Sequence, residues 1–280
     1  MNPLAETPLV SIVTPSFNTG AFIEATIHSV EQQDYPRIEH IVLDSGSTDD
    51  TLEILARHPA VRLVTPAPQG VSDKMNLGFS QARGDIVCWL NADDLHFPGA
   101  VRKAVDALKR HPDVAMVYCN LLQVDEHGRE IHRQRNQQAS FREMLQHNHV
   151  PLESAFVRRD ALARVGPVNT RYPLVQDWDW LIRISKHYPI LWIDDWWSAN
   201  RVRPTQRSQL YMSEVWRQVR HLTREHGAPF LPVFWAYWGA KLVRALEMVR
   251  TGQFTRLRSK LRIHIKSFGR RRETRKRFEY

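Results

Sequence analysis

GDIVCWLNADD, residues 84–94, is the stretch that decides the fold. Its short apolar run begins after a glycine and ends in an amide and two carboxylates, Asp93 and Asp94. Such a run predicts a strand that is buried on both faces of a parallel sheet. Ligands of open parallel sheets bind beyond the carboxyl ends of the strands, and paired carboxylates there suit a hard divalent cation with a phosphate partner. A solvated turn, or the cap of the next helix, is the alternative for the two acids.

Strand and helix patterns alternate around this stretch. Short apolar runs predict strands at residues 9–14, 38–43 and 61–64, and helical spacing follows at 21–33, around 52–55 and at 75–82. This alternation predicts an α/β fold with right-handed connections and a mostly parallel sheet. Polar residues follow the strand ends at Ser16, Asp44, Gln69 and Asp93, so one edge of the sheet gathers them as a nucleotide site would.

The second half of the chain has fewer clear signals. Patterns predict strands at residues 114–122 and 150–157, a hairpin turn at 125–129 with Gly128 at its tight position, and helices at 141–149, from 177 onward and at 210–226. His147 and His149 have no third metal ligand at a recognisable spacing, so no zinc site is predicted there.

The charge of the chain is concentrated in one region. The net charge is +9 over 280 residues, but residues 241–280 hold 14 Lys+Arg against 3 Asp+Glu, which leaves 25 against 27 for residues 1–240. A basic segment of this kind indicates an anionic partner for that segment, a membrane surface or nucleic acid, and excludes an acidic substrate for the whole protein. The two cysteines lie in apolar runs and predict buried thiols in a reduced, intracellular compartment. No secretion signal or membrane-spanning stretch is recognised.

Six blocks of the sequence resemble those of the family 2 glycosyltransferases, which are inverting enzymes with the GT-A fold. A single block is a weak signal, but the six occur in the family's order and cover about residues 9–208. They are TPSFN (14–18), VLDSGSTD (42–49), QGVSDKMNLG (69–78), LNADD (90–94), QDWDWLIR (176–183) and NRVRPTQRS (200–208). The resemblance implies a GT-A, Rossmann-like catalytic domain at residues 1–208 with a mixed, mostly parallel central sheet flanked by helices. Residues 209–280 would then form a basic, aromatic-rich helical extension.

The resemblance implies a donor pocket for a nucleoside-diphosphate sugar. Asp44 would accept a hydrogen bond from the base or the ribose, with an Asx turn as the alternative. Thr14, Pro15 and Phe17 would frame the same pocket, with Phe17 against the base unless its role is structural. Ser72, Asp73 and Lys74 would lie near the ribose and diphosphate, although an ordinary exposed lysine is the alternative for Lys74.

The resemblance also implies a divalent metal, Mg²⁺ or Mn²⁺, held by Asp93 and Asp94 on the diphosphate. The metal would neutralise charge that develops on the leaving group. Asn91 stands where the family often has a third carboxylate, and a neutral amide there weakens the attraction for the ion, so the ligand set stays open. Asn91 and Asp93 are also expected to face the bound donor.

Asp177 is the candidate general base, because inversion requires a carboxylate within reach of the acceptor hydroxyl. Asp177 opens a predicted helix, so a helix cap is its alternative role, and Asp179 is the base if the alignment shifts by two residues. Glu153 and Ser154 are expected on the acceptor side of the cavity, as is Asp179.

Three arginines are expected to close over the diphosphate. Arg201, Arg203 and Arg207 belong to a segment that contains Pro204, and Arg203 replaces the family's usual histidine, which keeps the charge but changes the geometry. Solvated arginines are the alternative.

Residues 228–280 combine an aromatic stretch, a helical pattern and a basic cluster at residues 270–277. A segment of this composition is expected to lie in a membrane interface, which would make the protein cytoplasmic and peripheral on the inner face of the cell membrane. Packing on the catalytic domain is the alternative.

The sequence therefore predicts an inverting, metal-dependent glycosyltransferase of cell-surface polysaccharide biosynthesis, with a glycan or lipid-linked acceptor. A non-catalytic nucleotide-sugar binding protein and a nucleic-acid-binding protein are alternatives. Neither of them accounts for the six ordered blocks.

Overall fold

Strand β1 (Val10–Ser16) and strand β4 (Ile86–Trp89), which belongs to the stretch GDIVCWLNADD, lie side by side at the centre of a seven-stranded sheet. The protein is represented by a computed structural model that describes residues 1–203 and 211–228, together with residue 239. The chain divides into a first unit, residues 1–144 and 148–202, and a second unit, residues 145–147 and 203–280. The predicted domain boundary after residue 208 lies outside the described residues, and so does Arg207.

The first unit alternates strands and helices as the sequence predicts. In chain order its elements are β1 (Val10–Ser16), α1 (Gly20–Glu31), β2 (Ile38–Asp44), α2 (Thr51–Ala56), β3 (Val61–Val64), α3 (Val71–Gln81), β4 (Ile86–Trp89), β5 (Leu95–His96), α4 (Ala100–Arg110), β6 (Met116–Tyr118), β7 (Leu121–Val124), β8 (Glu130–Gln134), α5 (Phe141–Met144), a 3₁₀ turn (Leu152–Ser154), β9 (Phe156–Arg158), α6 (Arg159–Val165), α7 (Gln176–His187), β10 (Ile190–Trp192) and β11 (Ser198–Arg201).

The central sheet has the order β10-β6-β9-β4-β1-β2-β3. All neighbouring strands are parallel except β9, which runs antiparallel to both β4 and β6. A second sheet has the order β5-β11-β7-β8. The prediction of a mixed, mostly parallel sheet flanked by helices is confirmed.

The core explains why strand β4 is buried on both faces. Every residue of β4 is buried, and Cys88 and Cys119 are buried free thiols within one large apolar cluster, as predicted. Helix α3 packs very closely on the sheet, because a Cβ atom at Gly78 would lie 2.4 Å from Cγ1 of Val13. A glycine is needed at that position for the helix to approach.

Several predicted boundaries in the second half of the chain were wrong. The predicted strand 114–122 is two strands, β6 and β7, in different sheets. They separate at Asn120, whose buried amide donates to Asp194 and accepts the Asn136 N–H. The predicted helix 141–149 ends at Met144; the Asn148 side chain accepts the Val150 N–H and so offers the backbone a turn in place of the helix.

Other boundaries moved without changing the fold. The predicted strand 150–157 begins as the 3₁₀ turn and becomes β9 only at Phe156. Helix α3 begins at Val71 rather than at residue 75, because its apolar spacing is recognisable only from Met75 onward. The predicted hairpin is confirmed, with Gly128 at φ 80° between β7 and β8.

The described part of the second unit contains helix α8 (Met212–Glu225), which agrees with the predicted helix and is followed by Gly227 at φ 77°. Among the described residues, no helix has both the length and the apolar character needed to cross a membrane. The aromatic stretch and the basic cluster on which the membrane prediction depends lie outside the described residues.

Candidate active site

The carboxyl ends of β1 and β2 meet at one edge of the sheet. Ser16 pairs with Asp44 in the strand register, and the Ser45 N–H donates to the Ser16 carbonyl at 3.1 Å. The Lys74 ammonium, from the first turn of α3, donates to the same carbonyl at 3.2 Å. The ends of β1 and β2 and the first turn of α3 therefore contact one another at this edge.

Four carboxyl groups from three distant parts of the chain lie close enough to affect one another. Burial raises the pKa of Asp94 well above its usual range, and the charges of Asp93 and Glu153 raise it further. Burial likewise raises the pKa of Glu153 to about 7, with further contributions from the charges of Asp93 and Asp177. Bound protons or a bound cation would stabilise a repulsive cluster of this kind at neutral pH.

Asp94 is held firmly inside this cluster. Its Oδ1 accepts the Arg201 N–H at 2.9 Å and the Asn200 amide at 3.2 Å, and its Oδ2 accepts the Asn91 amide at 2.8 Å. The Thr26 hydroxyl of α1 donates to the backbone carbonyls of both Ala92 and Asp94 at 2.9 Å. Asn91 thus stands beside Asp94 as a donor, which a carboxylate at that position would not be at neutral pH.

Asp93 is slightly more accessible than its neighbour, at 9% exposed against 1% for Asp94. Its position depends on Arg201, whose Nε donates to the Asp93 carbonyl at 2.9 Å. The same guanidinium donates to the carbonyls of Asp125 and Glu126 and stacks over Phe22. Arg201 is buried in strand β11 and not on a closing loop, so the described contacts give it a structural role.

Glu153 is 4% exposed and belongs to the 3₁₀ turn before β9. Its Oε1 atom is buried without a hydrogen-bond partner, a costly arrangement that requires a bound proton, a ligand or an ion to offset it. Ser154 is fully buried, and its hydroxyl donates to the Pro151 carbonyl and accepts the Cys119 N–H. Ser154 therefore offers no surface to an acceptor, in contrast to the cavity-side position expected for it.

Asp177 and Asp179 have different environments. Asp177 is half-buried in the first turn of α7, and burial raises its pKa despite hydrogen bonds from backbone N–H groups. The helix cap position belongs to Val175, so Asp177 is not the N-cap.

Asp179 is 2% exposed and forms an ion pair with Arg183 at 2.9 Å. That arginine also donates to the carbonyls of Val165 and Pro167. Asp177 is thus the better placed of the two to accept a proton.

Asp44 organises the loop that follows β2. Its Oδ1 accepts the N–H groups of Gly46 and Ser47 at 2.9 and 2.8 Å, and its Oδ2 accepts the Ser47 hydroxyl at 2.6 Å. This is the Asx-turn arrangement that the sequence left open. The carboxylate is fully buried, so a contact with a nucleotide would require this loop to shift.

The segment 72–74 lies in the first turn of α3. Lys74 is 5% exposed, so the alternative of an ordinary exposed lysine is wrong. Ser72 is buried and its hydroxyl lies 3.4 Å from the Asn169 carbonyl, while Asp73 is exposed. Of Ser72, Asp73 and Lys74, it is therefore Lys74 that places a buried charge at the edge of the sheet, beside Ser16.

The three residues predicted to frame the base differ strongly in exposure. Phe17 is 47% exposed and Pro15 is half-buried, whereas Thr14 is fully buried with its hydroxyl 2.9 Å from Nε2 of His40. An exposed phenylalanine next to a strand end is an unusual apolar surface and a suitable platform for a base. Arg203 is half-buried at the start of the second unit.

The donor set fits the divalent metal that the resemblance implies. Asp93 and Asp94 bring two carboxylates to one strand end, and the unpartnered Glu153 oxygen lies within electrostatic range of Asp93. Hard divalent cations take such oxygen ligands. Two supporting residues, Thr26 and Asn200, were missed at the sequence level: the amide of Asn200 stands within a motif block, whereas no sequence signal marks Thr26.

The comparisons with known proteins agree with this architecture. Residues 11–166 match the family model described as "Glycosyl transferase family 2", and the chain belongs to that family. It is 29% identical over 182 residues to the PGL/p-HBAD biosynthesis glycosyltransferase of Mycobacterium bovis, covering 63% of this chain and 69% of that protein. It is 33% identical over 132 residues to the chondroitin synthase of Escherichia coli, which covers 46% of this chain but only 19% of that protein.

Solved structures share the GT-A fold. The mannosyltransferase PcManGT from Pyrobaculum calidifontis, in complex with GDP-Man and Mn²⁺, has a TM-score of 0.64 at 20% identity, covering 96% of this chain and 88% of that chain. The glucosyl-3-phosphoglycerate synthase of Mycobacterium tuberculosis, with Mn²⁺ and UDP, has a TM-score of 0.58 at 23% identity and covers 79% of this chain and 81% of that chain. At these identities the likeness establishes the fold alone.

Proposed function

We propose that the protein is an inverting, metal-dependent glycosyltransferase that moves a sugar from a nucleoside diphosphate to an acceptor hydroxyl. The observation that carries this proposal is a cluster of carboxyl groups from three distant parts of the chain. Asp94 is buried within range of the charges of Asp93 and Glu153, and Glu153 is buried within range of those of Asp93 and Asp177. Family membership supports the same reaction class.

Asp177 is the proposed general base. Its raised pKa increases its basicity, which favours removal of the acceptor proton as the hydroxyl attacks the anomeric carbon. Asp179 is committed to Arg183 and is not proposed as the base. Glu153 is proposed to bind the reacting end of the substrates through its unpartnered oxygen. The charges of both Asp93 and Asp177 act on this carboxyl group.

Asp93, with Asp94 behind it, is proposed to hold Mg²⁺ or Mn²⁺. The bound ion would supply Lewis-acid neutralisation of the leaving diphosphate. The protein's own contribution is to fix the two carboxylates through Thr26, Asn200 and Arg201. Two structural neighbours are complexes with Mn²⁺, which supports a divalent ion without choosing between the two metals.

The donor pocket is proposed to lie along the ends of β1 and β2. Phe17 offers a stacking surface for the base, and the buried Lys74 places a positive charge near the diphosphate. Asp44 is proposed to reach the nucleotide after movement of its loop. Asp73 and Arg203 remain proposed members of the donor site, and Arg207 lies outside the described residues.

The acceptor is proposed to be a glycan or a lipid-linked glycan of the cell surface. Relatives named for chondroitin synthesis and for PGL/p-HBAD biosynthesis support this class of acceptor. The basic, aromatic segment after residue 228 is proposed to hold the protein at the inner face of the membrane, where such an acceptor would be presented.

The substitution Asp177→Asn tests the mechanism. We expect donor binding to persist and transfer to fall by at least about 10²-fold, because an amide does not accept the proton. Binding is measured by calorimetry with a panel of nucleotide sugars and Mn²⁺, and transfer by release of nucleoside diphosphate.

Asp179→Asn is the matched control on the same helix. It should reduce stability through loss of the ion pair with Arg183 while the folded protein retains transfer. Unimpaired transfer by the Asp177→Asn variant, or selective loss of transfer in the folded Asp179→Asn variant, would remove Asp177 from its assigned role.

A further inference from the structure

A second group of potential metal ligands lies on the surface of helices α1 and α2. Glu24 and His28 are one helical turn apart on α1, and His58 follows the end of α2. One ligand atom from each residue lies within 4.8 Å of the ligand atoms of the other two. The imidazole rings of His28 and His58 meet edge to face, with centroids 5.1 Å apart.

A fourth residue, Glu31, orients both histidines. Its two carboxylate oxygens lie 3.1 Å from Nδ1 of His28 and 3.0 Å from Nδ1 of His58. An Nδ1–H bonded to a carboxylate leaves the lone pair on Nε2, which is the arrangement found behind histidines that ligate metals.

We propose that Glu24, His28 and His58 form a binding site for a divalent transition-metal ion, with Zn²⁺ the best match to two imidazoles and one carboxylate. Three protein ligands leave the fourth tetrahedral position to water. Ligand atoms around tetrahedral Zn²⁺ are about 3.4 Å apart, so the group must contract. Glu24 provides that movement: its side chain is 46% exposed and is held only by a surface ion pair to Arg57 at 3.0 Å.

The bound ion would join two helices that also support the active site. At their N-terminal ends the Thr19 N–H donates to the Thr51 hydroxyl, and the Gly20 N–H donates to Asp49. On the opposite face of α1 from His28, Thr26 holds the backbone of Asp94. A metal at His28 and His58 would fix the other end of this helix pair and stabilise the first unit by mass action, because the unfolded chain lacks the site.

The test is Zn²⁺ and Co²⁺ binding to the full-length protein after removal of bound metal. Titration calorimetry with Zn²⁺ gives the stoichiometry and affinity, and the visible absorption of bound Co²⁺ reports nitrogen and oxygen ligands in a tetrahedral geometry. We expect one site that survives Asp93→Asn, because it is separate from the proposed catalytic metal. Glu24→Gln and His28→Gln should each weaken Zn²⁺ binding by at least tenfold, and Glu31→Gln by about 10–100-fold.

His111→Gln is the matched control, because His111 is likewise exposed, follows the end of α4 and is not a member of the Glu24, His28 and His58 group. It should leave the affinity and the Co²⁺ spectrum unchanged. Glu24 and His28 reach the solvent, so their variants test the site without disturbing the core. Zn²⁺ binding that is equal in the wild type, Glu24→Gln and His28→Gln, or absent from the wild type, would overturn the proposal and leave the four residues as a surface ion-pair network.

Discussion

Glu153 has an unfavourable environment for an ionised carboxylate. It is almost fully buried, one of its oxygens has no partner, and Asp93 and Asp177 contribute like charges. Such an arrangement costs folding free energy when the group is ionised, and it persists only where the same group has another use. At the scale of single residues, the candidate site is therefore recognised by the folding free energy that its buried carboxylates cost.

The substitution Glu153→Gln should reveal this cost. The pKa of Glu153 is raised to about 7 in the folded protein, so the folded state binds the proton more tightly than the unfolded state between the ordinary glutamate value and pH 7. The wild type therefore loses stability as the pH rises through that interval, by up to about 3 kcal/mol. Glutamine has no such loss, so the variant should be the more stable protein at pH 8 without metal, and the advantage should shrink toward pH 4.5.

Urea unfolding at pH 4.5, 6, 7 and 8 in the presence of a chelator measures this difference. Addition of Mn²⁺ at pH 8 should reduce the advantage of the variant, because a cation near Asp93 offsets the repulsion. If the stability difference between the wild type and Glu153→Gln does not change with pH, folding does not raise the pKa of Glu153, and the prediction is wrong.

At the scale of elements, strand β11 of the second sheet contacts the segment that carries Asp93 and Asp94. It pairs with β5 and β7, and its last residue, Arg201, donates to the Asp93 carbonyl and to carbonyls of the β7–β8 hairpin. A planar guanidinium can serve several carbonyls at once, and an ammonium on a flexible chain cannot do so with the same geometry. The element thus positions the proposed metal ligands from behind.

Arg201→Lys should therefore destabilise the protein. Loss of two or three charge-assisted hydrogen bonds and of the stacking on Phe22 is expected to lower the free energy of unfolding by roughly 2 kcal/mol or more. Thermal and urea unfolding measure this change, and the KM for the donor is measured in parallel. An unchanged unfolding transition with a donor KM raised tenfold would restore the diphosphate contact expected from the sequence.

The sequence predicted elements well where local pattern and environment agree. Strands β1, β2 and β4 are short, apolar and bounded by polar or glycine residues, so their positions and the polar edge were predictable. The antiparallel direction of β9 was not predictable, because it depends on pairing with β4 and β6, which are distant in the sequence. The same holds for His28 and His58, which are separated by 30 positions and are brought together by the packing of α1 against α2.

Individual roles at the site were less predictable than its location. Arg201 and Asp179 carry charge in family-like blocks, yet both are buried and bound to carbonyls or to an arginine. Lys74 was expected near the diphosphate, with an exposed lysine as the alternative, and its side chain is enclosed beside Ser16. Burial and partners decide between these outcomes, and neither is encoded in the spacing of a motif.

At the scale of the whole molecule, charge is divided by position. Residues 1–240 carry a net charge of −2 and residues 241–280 carry +11. The net charge of residues 1–240 is close to zero, so this part of the chain has no general attraction for an anionic surface. Such an attraction can come only from the basic segment, residues 241–280. The proposed membrane association must therefore depend on the basic residues.

Cosedimentation of the full-length protein with vesicles tests this dependence. We expect binding to phosphatidylglycerol vesicles that weakens from 50 to 500 mM salt by an order of magnitude or more, and little binding to phosphatidylcholine, since each basic residue near an anionic surface contributes about 1 kcal/mol. Replacement of Arg270, Arg271 and Arg272 by glutamine should reduce binding at least tenfold.

Replacement of Arg102, Lys109 and Arg110, which are exposed on α4, by glutamine is the control with equal loss of charge. It should leave vesicle binding nearly intact. Equal weakening by both triple variants, or a protein that stays in the supernatant with anionic vesicles at low salt, would speak against anchoring by the basic segment.

The placement of β9 between β4 and β6 has a consequence for how the protein is made. While a ribosome synthesises the chain at about 5–20 residues per second, β4 and β6 emerge long before Phe156–Arg158 can fill the gap between them. Until then the facing edges of β4 and β6 have no partner strand, and such edges are sites for wrong pairing with other chains. Chaperone dependence during translation should therefore be greatest for nascent chains that end between β6 and β9, and should fall once Arg158 has left the exit tunnel.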